Sequence, residues 1–139
     1  MLAAHLAGEL AGKTLLELAS GSAVFSLAAE KWAEKVIALD LDDTRLDARV
    51  AGEPRISFLR ADAADTGLAD KSVDCVVLYN SFYHVKEQWP QIRLECARIL
   101  RPGGSLYVAA TWKLDKTLMQ ERLPGSEPFG EFMLWRERF

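Results

Sequence analysis

Five short apolar runs recur along the chain, and segments with helical periodicity connect most of them. The runs are predicted as strands at residues 14–18, 36–39, 56–59, 73–78 and 105–110. They are largely continuous in their apolar character, so both faces of the sheet are expected to be covered. Strands that alternate with helices at this spacing form parallel βαβ units with right-handed crossovers. The pattern therefore predicts an α/β fold with a mainly parallel sheet.

Apolar residues spaced one turn apart predict the helices that connect these strands. Pro90 suits the first turn of one of them, in which Ile92, Cys96 and Ile99 share a face. The predicted helices cover residues 2–11, 22–35, about 44–50, 90 to about 101, and a short stretch at 114–119.

Composition and charge exclude several functional classes. The 139 residues are enough for one domain, and the net charge of −3, without a basic stripe, argues against a nucleic-acid partner. The sequence carries neither a membrane-spanning apolar run nor a secretory leader pattern. Cys75 and Cys96 lie in apolar segments and are expected to be buried reduced thiols. These features predict a cytoplasmic protein that does not bind a membrane.

Polar side chains stand at the ends of four predicted strands: Glu17, Asp40, Asp62 and Asn80. The carboxyl ends of parallel strands share one edge of the sheet, and ligands of open α/β sheets bind there. We therefore expect these four side chains to gather around a ligand.

A turn of small residues, Leu15 to Ala23, joins the first strand to a helix that begins near Ser22. It lacks the Gly-Lys-Ser/Thr of a phosphate-binding loop. The dinucleotide fingerprint is also incomplete, because only Gly21 of its three glycines is present. Glu17 would place a carboxylate beside a bound pyrophosphate, which disfavours a nicotinamide-dependent oxidoreductase. A nucleoside with a cationic, amine-bearing arm suits this acidic edge better.

Two carboxylates match parts of such a nucleoside. Asp40 follows Gly21 by 19 residues, the spacing at which a carboxylate at the end of the second strand reaches a ribose. The alternative role for Asp40 is stabilisation of the next helix N-terminus. Asp62 could accept a hydrogen bond from an adenine amine, or instead form the turn that follows its strand.

Five segments in order resemble the class I S-adenosylmethionine-dependent methyltransferases, within their type 11 branch. The resemblance runs from about Thr14 to Ala110. The matching segments are Leu15–Ala23 (motif I), Asp40 (the acid of the second strand), Asp62-Ala63 (adenine contact), Leu68–Val85 (the fourth-strand motif) and Arg98–Gly104 (the turn before the fifth strand).

The resemblance implies a Rossmann-like three-layer sandwich with sheet order 3-2-1-4-5. It implies S-adenosyl-L-methionine as cofactor, S-adenosyl-L-homocysteine as product and no metal site. His84 is a candidate general base, although a packing or hydrogen-bonding role is an equal alternative. The expected cofactor contacts are Glu17, Ala19, Ser20, Gly21, Ser22, Asp40, Leu41, Asp62, Ala63 and Asn80.

The chain departs from the family pattern at two motif I positions, where Ala19 and Ala23 replace glycines. An added Cβ at either position would hinder a positive φ angle or close approach of a ligand. Two functions therefore stay open. One is methyl transfer to a small-molecule acceptor, and the other is a non-catalytic binding or scaffold subunit with a weakened cofactor site.

Residues 112–139 form an aromatic C-terminal extension of the expected single domain 1–139, whose core is residues 14–111. The two strands that family members carry after the fifth are expected to be absent. Phe129, Phe132, Trp135 and Phe139 fall within about 120° on a helical wheel of ~3.6 residues per turn. They predict a terminal helix that covers the sheet; a homo-oligomer contact or a wall of the acceptor pocket is the alternative.

Overall fold

The computed structural model describes residues 2–139, so Met1 of the expected domain lies outside the described residues. Seven strands and six α-helices are found in that range. The strands are β1 Thr14–Leu18, β2 Lys35–Asp40, β3 Ile56–Arg60, β4 Val73–Tyr79, β5 Leu100–Ala110, β6 Glu127–Phe129 and β7 Phe132–Arg138. The α-helices are α1 Leu2–His5, α2 Ala7–Leu10, α3 Val24–Ala29, α4 Phe82–Val85, α5 Trp89–Ile99 and α6 Lys113–Arg122, and two 3₁₀ helices cover Ala48–Gly52 and Lys86–Gln88.

The strands form one sheet in the order β3-β2-β1-β4-β5-β7-β6. Strands β1 to β5 pair in parallel, which confirms the predicted order 3-2-1-4-5. The order reverses between β1 and β4, so a crevice opens beyond their carboxyl ends.

Two apolar cores lie on opposite faces of the sheet, as a three-layer sandwich requires. One contains Leu16 and Leu18 of β1 with residues of α5 and α6. The other contains Leu15 with residues of the first three helices. Cys96 belongs to the first core and Cys75 to the second, and both are free thiols, as expected.

The prediction for the C-terminal segment was wrong. Residues 127–138 do not form a helix: β7 pairs antiparallel with β5, and β6 pairs antiparallel with β7. The sheet is therefore not truncated. Gly130, with φ of 57°, allows the two-residue turn between the paired Phe129 and Phe132. Unpaired backbone groups on β5 also favour another strand over a helix.

The aromatic side chains of this segment follow the strand period of two, and the apparent helical face was a coincidence of spacing. Trp135 and Phe139 pack against the core that contains α5, whereas Phe132 is buried in the opposite core. These contacts lie within the chain. The helical face on which the expectation of an oligomer contact rested is therefore not present.

Two other predicted helices are shorter than expected because tertiary hydrogen bonds compete with them. The helix predicted over 22–35 ends at Ala29, and the backbone N–H of Glu34 then donates to the carbonyl of Lys13 (3.0 Å). The segment 44–50 is a turn followed by a 3₁₀ helix, and the N–H of Asp47 donates to the carbonyl of Ser22 (3.0 Å).

None of the helices within residues 2–139 has the length and apolar character needed to span a bilayer.

Candidate functional site

A cavity of about 250 Å³ opens at the carboxyl ends of the parallel strands. All eleven residues predicted for the site lie in its lining, although they come from four separate parts of the chain. They are Glu17, Ala19, Ser20, Gly21, Ser22, Asp40, Leu41, Asp62, Ala63, Asn80 and His84. The strand-end argument predicted this gathering for four of them, Glu17, Asp40, Asp62 and Asn80.

The turn between β1 and α3 has an alternating backbone. Ala19, Gly21 and Ala23 have φ angles of 50°, 55° and 65°, so every second residue is left-handed. Three N–H groups of the turn are already bonded within the protein: Ser20 to Leu39 O (2.9 Å), Gly21 to an Asp40 carboxylate oxygen (2.7 Å) and Ala23 to Ser20 O (2.7 Å). These bonds fix the turn but leave fewer donors for a ligand.

The two alanines of this turn differ in what they contact. Both occupy the left-handed region, which costs an L-residue roughly 1–2 kcal/mol. Ala19 lines the cavity. Ala23 is fully buried in the core beneath α3, outside the cavity lining that the described residues form. Of the two alanines, only Ala19 is therefore placed to contact a ligand in the cavity.

Glu17 is fully buried and hydrogen-bonds to the start of α3. Its Oε1 accepts from the backbone N–H of Ser26 (3.1 Å) and from the Ser26 hydroxyl (2.7 Å). Ser26 is the third residue of α3, so this carboxyl satisfies an N–H group that has no partner within the helix. Burial raises the pKa of Glu17 to about 8, against the lowering effect of the Ser26 bonds. Glu17 is therefore mostly protonated at neutral pH while no cation lies nearby.

Asp40 holds the turn with both of its carboxylate oxygens. Oδ2 accepts from the N–H of Gly21 and Oδ1 from the N–H of Leu41, each over 2.7 Å. A carboxylate has about four lone-pair sites, so the remaining two can still accept hydroxyl protons.

Asp62 forms the turn that was one of its two expected roles. Its Oδ1 accepts from the N–H of Ala64 (2.8 Å), and Gln88 approaches both oxygens at 3.5 Å. The side chain also lines the cavity, so the turn does not exclude a ligand contact.

Several hydrogen bonds join the segment after β4 to the segment after β5, and two of them are short. The Oδ1 of Asn80 accepts from the N–H of Thr111 (2.7 Å), and Asn80 itself is left-handed with φ of 54°. The buried Asp115 of α6 accepts from the N–H of Tyr83 in α4 (2.9 Å). The amide of Asn80 is thus bonded to the protein, and the segment that carries His84 is fixed against α6.

Three exposed apolar side chains lie at the mouth of the cavity. Val24, Leu41 and Trp112 line it and are 47%, 66% and 58% exposed. His84 also lines the cavity, is exposed, and lies with its ring edge-on to Tyr83 at a centroid distance of 5.9 Å. An exposed imidazole beside apolar side chains can contact a small molecule that enters from solvent.

Sequence reasoning missed three kinds of lining residue. Ser81 follows Asn80 directly, and its hydroxyl, like that of Ser20, is buried without a hydrogen-bond partner in the described structure. Arg45 lies in a turn that was predicted as a helix start. Trp112 follows β5, where a strand-end search extended to the fifth strand would have found it.

Residues 16–108 match the family model described as "Methyltransferase domain". The chain is 34% identical over 103 residues to a demethylmenaquinone methyltransferase of Clavibacter sepedonicus, covering 71% of this chain and 41% of the relative. It is 35% identical over 105 residues to a probable S-adenosylmethionine-dependent methyltransferase of Mycolicibacterium smegmatis, covering 76% and 40%. The chain thus matches about two fifths of the length of each of these relatives.

The fold resembles the crystal structure of a SAM-dependent methyltransferase from Aquifex aeolicus. The TM-score is 0.75 at 15% sequence identity, and the similarity covers 97% of this chain and 86% of that one. At this identity the likeness shows the fold and does not extend to a substrate.

Proposed function

The chain belongs to the class I S-adenosylmethionine-dependent methyltransferases, and we propose that it binds S-adenosylmethionine in the described cavity and transfers its methyl group to a small molecule. The observation that carries this proposal is the lining of one cavity by motif I together with Asp40, Asp62 and Asn80.

The chemistry of the lining fits this cofactor. The buried hydroxyls of Ser20 and Ser81 have no partner in the described structure, and a buried polar group left unpaired costs about 1–3 kcal/mol. A polar ligand in the cavity would satisfy both hydroxyls. Asp40 and Asp62 make the lining acidic, which suits a sulfonium and an ammonium group better than a pyrophosphate. Glu17 adds a negative charge when a bound cation favours its ionised form.

Each part of the cofactor has a matching group. The adenine would lie against Leu41 and Ala63 with its amine near Asp62, and the ribose hydroxyls would face Asp40. The methionine arm would lie over residues 19–22, with Glu17 at the inner end. These positions follow from the strand ends that carry the residues, and they remain a proposal.

The cofactor supplies an electrophilic methyl group when bound, so the protein contributes mainly orientation and exclusion of water. The two bonds that fix the segments after β4 and β5 hold His84 and Trp112 at the mouth. Trp112 and Val24 would cover an acceptor from solvent. The imidazole of His84 would accept a proton from an acceptor that must lose one.

Calorimetry of the complete chain with S-adenosylhomocysteine and S-adenosylmethionine tests this function. We expect both to bind with one ligand per chain. NAD should bind much more weakly, because motif I keeps only Gly21 of the three glycines that accommodate a dinucleotide pyrophosphate. If neither S-adenosylhomocysteine nor S-adenosylmethionine produces heat of binding at millimolar concentration, the proposal is overturned.

A non-catalytic binding or scaffold role is the second candidate, and the presence of Ala19 in place of a glycine in the cavity lining favours it. We expect Ala19→Gly to tighten S-adenosylhomocysteine binding, because it removes the methyl group of a residue that lines the cavity. If the overlap costs about 1–3 kcal/mol, the gain is about 5- to 150-fold. Titration calorimetry of the variant and the parent chain measures this gain directly.

Ala23→Gly is the matched control, since it relieves the same backbone conformation outside the cavity. Its affinity should equal that of the parent chain. Equal affinity of all three chains would show that Ala19 does not weaken the site, and the scaffold interpretation would lose its support.

A further inference from the structure

We infer that Arg45 binds the α-carboxylate of the methionine arm, an inference that rests on the proposed function. Arg45 is the one lysine or arginine among the described residues that line the cavity. Its guanidinium lies over the motif I turn: a Cβ built on Gly21 would be 3.4 Å from a terminal nitrogen of Arg45.

Several donors of the turn are already used within the protein. The N–H groups of Ser20, Gly21 and Ala23 are bonded to Leu39, Asp40 and Ser20, respectively. The N–H of Ser26, in the first turn of α3, is bonded to Glu17. The N–H groups of Ser22 and Val24 have no partner among the described residues, but they carry no full charge. Arg45 is the positively charged group that reaches the turn, so it is the charged partner for a carboxylate placed there.

Arg45 is also free to change partners. It is exposed, and it forms no salt bridge with any residue in the described range 2–139. A guanidinium presents planar N–H groups that match the two oxygens of a carboxylate. S-adenosylmethionine carries one anionic group, this carboxylate, so the charge pairing selects the amino-acid arm.

The test compares two ligands that differ in the arm. S-adenosylhomocysteine has the carboxylate, whereas 5′-methylthioadenosine keeps the nucleoside and thioether but lacks the amino-acid group. We expect Arg45→Ala to weaken S-adenosylhomocysteine binding by about 10-fold or more, since hydrogen bonds to charged groups are strong. Binding of 5′-methylthioadenosine should stay within about twofold of the parent value, and Arg45→Lys should restore part of the loss.

Arg49→Ala is the matched control, because it removes the same charge four residues away. Its guanidinium is exposed and paired with Asp47 at 2.9 Å. An equal loss for both ligands in Arg45→Ala, or no loss for either, would overturn the role of Arg45. If the parent chain binds neither ligand, the proposed function fails instead, so the two failures are distinguishable.

Discussion

Glu17→Gln is expected to stabilise the fold strongly at alkaline pH while it weakens cofactor binding. The carboxyl of Glu17 is buried, and burial raises its pKa to about 8. Glutamine has nearly the same shape and keeps an oxygen that can accept the two bonds from Ser26. The substitution therefore removes an ionisable group from the interior and leaves the start of α3 bonded.

The sign of the effect follows from proton linkage. The pKa of Glu17 is raised in the folded chain above its ordinary value of 4.5, so the folded chain holds this proton more tightly. The stability that the protonated Glu17 contributes is fully present below pH 4.5, and it is lost as the pH rises towards 8. Between these limits the parent chain loses about 3–5 kcal/mol that the glutamine variant retains. The melting temperatures of the two chains should differ by about 10 °C at pH 8.5 and converge near pH 4.5.

Glu34→Gln is the control for charge, because it removes a glutamate from the surface. Its effect on the melting temperature should be small at each pH. If the difference between Glu17→Gln and the parent chain does not grow with pH, Glu17 is not an ionisable group with a raised pKa.

The same carboxyl links pH to the binding of the cofactor. A cation near Glu17 favours its charged form, so binding near pH 7 should release a proton from the parent chain. Calorimetry in buffers of different ionisation enthalpy measures that release, which should be absent in Glu17→Gln. A neutral side chain at position 17 thus favours the stability of the fold, whereas a charged one favours binding of the cofactor.

The parallel half of the fold and the edge of the sheet that carries the candidate site could be predicted from sequence because both depend on local patterns. Apolar runs mark buried strands whatever their partners are, and right-handed crossovers restrict their order. Polar residues such as Asp40 and Asp62 then fall at one edge as a consequence of parallel pairing.

The errors arose where distant contacts decide the structure. Phe129, Phe132 and Trp135 have a spacing that fits a helix as well as two strands, and the choice depends on the free edge of β5, which the local sequence does not encode. Gly130 was the local signal for the turn. The segment at 44–50 likewise depends on the bond from Asp47 to Ser22.

The unpaired hydroxyl groups and the exact lining of the candidate site could not be predicted from sequence either. The sequence shows that Ser20 and Ser81 are serines, but only their burial without hydrogen-bond partners in the described structure makes them candidates for ligand contacts. Ala19 and Ala23 are equivalent in the motif, and the structure separates the one that lines the cavity from the one in the core.

Asp40→Ala is expected to remove most of the affinity for S-adenosylhomocysteine, by about 100-fold. The variant loses a carboxylate that would accept two ribose hydroxyls, and hydrogen bonds to charged groups contribute about 1.5–3 kcal/mol each. It also leaves the N–H of Gly21 without its 2.7 Å partner, which loosens the turn beneath the methionine arm. Calorimetry at a temperature where circular dichroism shows the variant folded measures the loss.

Two comparisons separate recognition of the ribose from support of the turn. Asp43→Ala removes the same charge from an exposed neighbour and should leave the affinity nearly unchanged. A 2′-deoxy analogue of S-adenosylhomocysteine should lose less affinity in Asp40→Ala than the parent ligand does, because one of the hydroxyls is already missing. An equal loss for both ligands would mean that Asp40 acts only through Gly21 and Leu41, and an unchanged affinity would show that the ribose assignment is wrong.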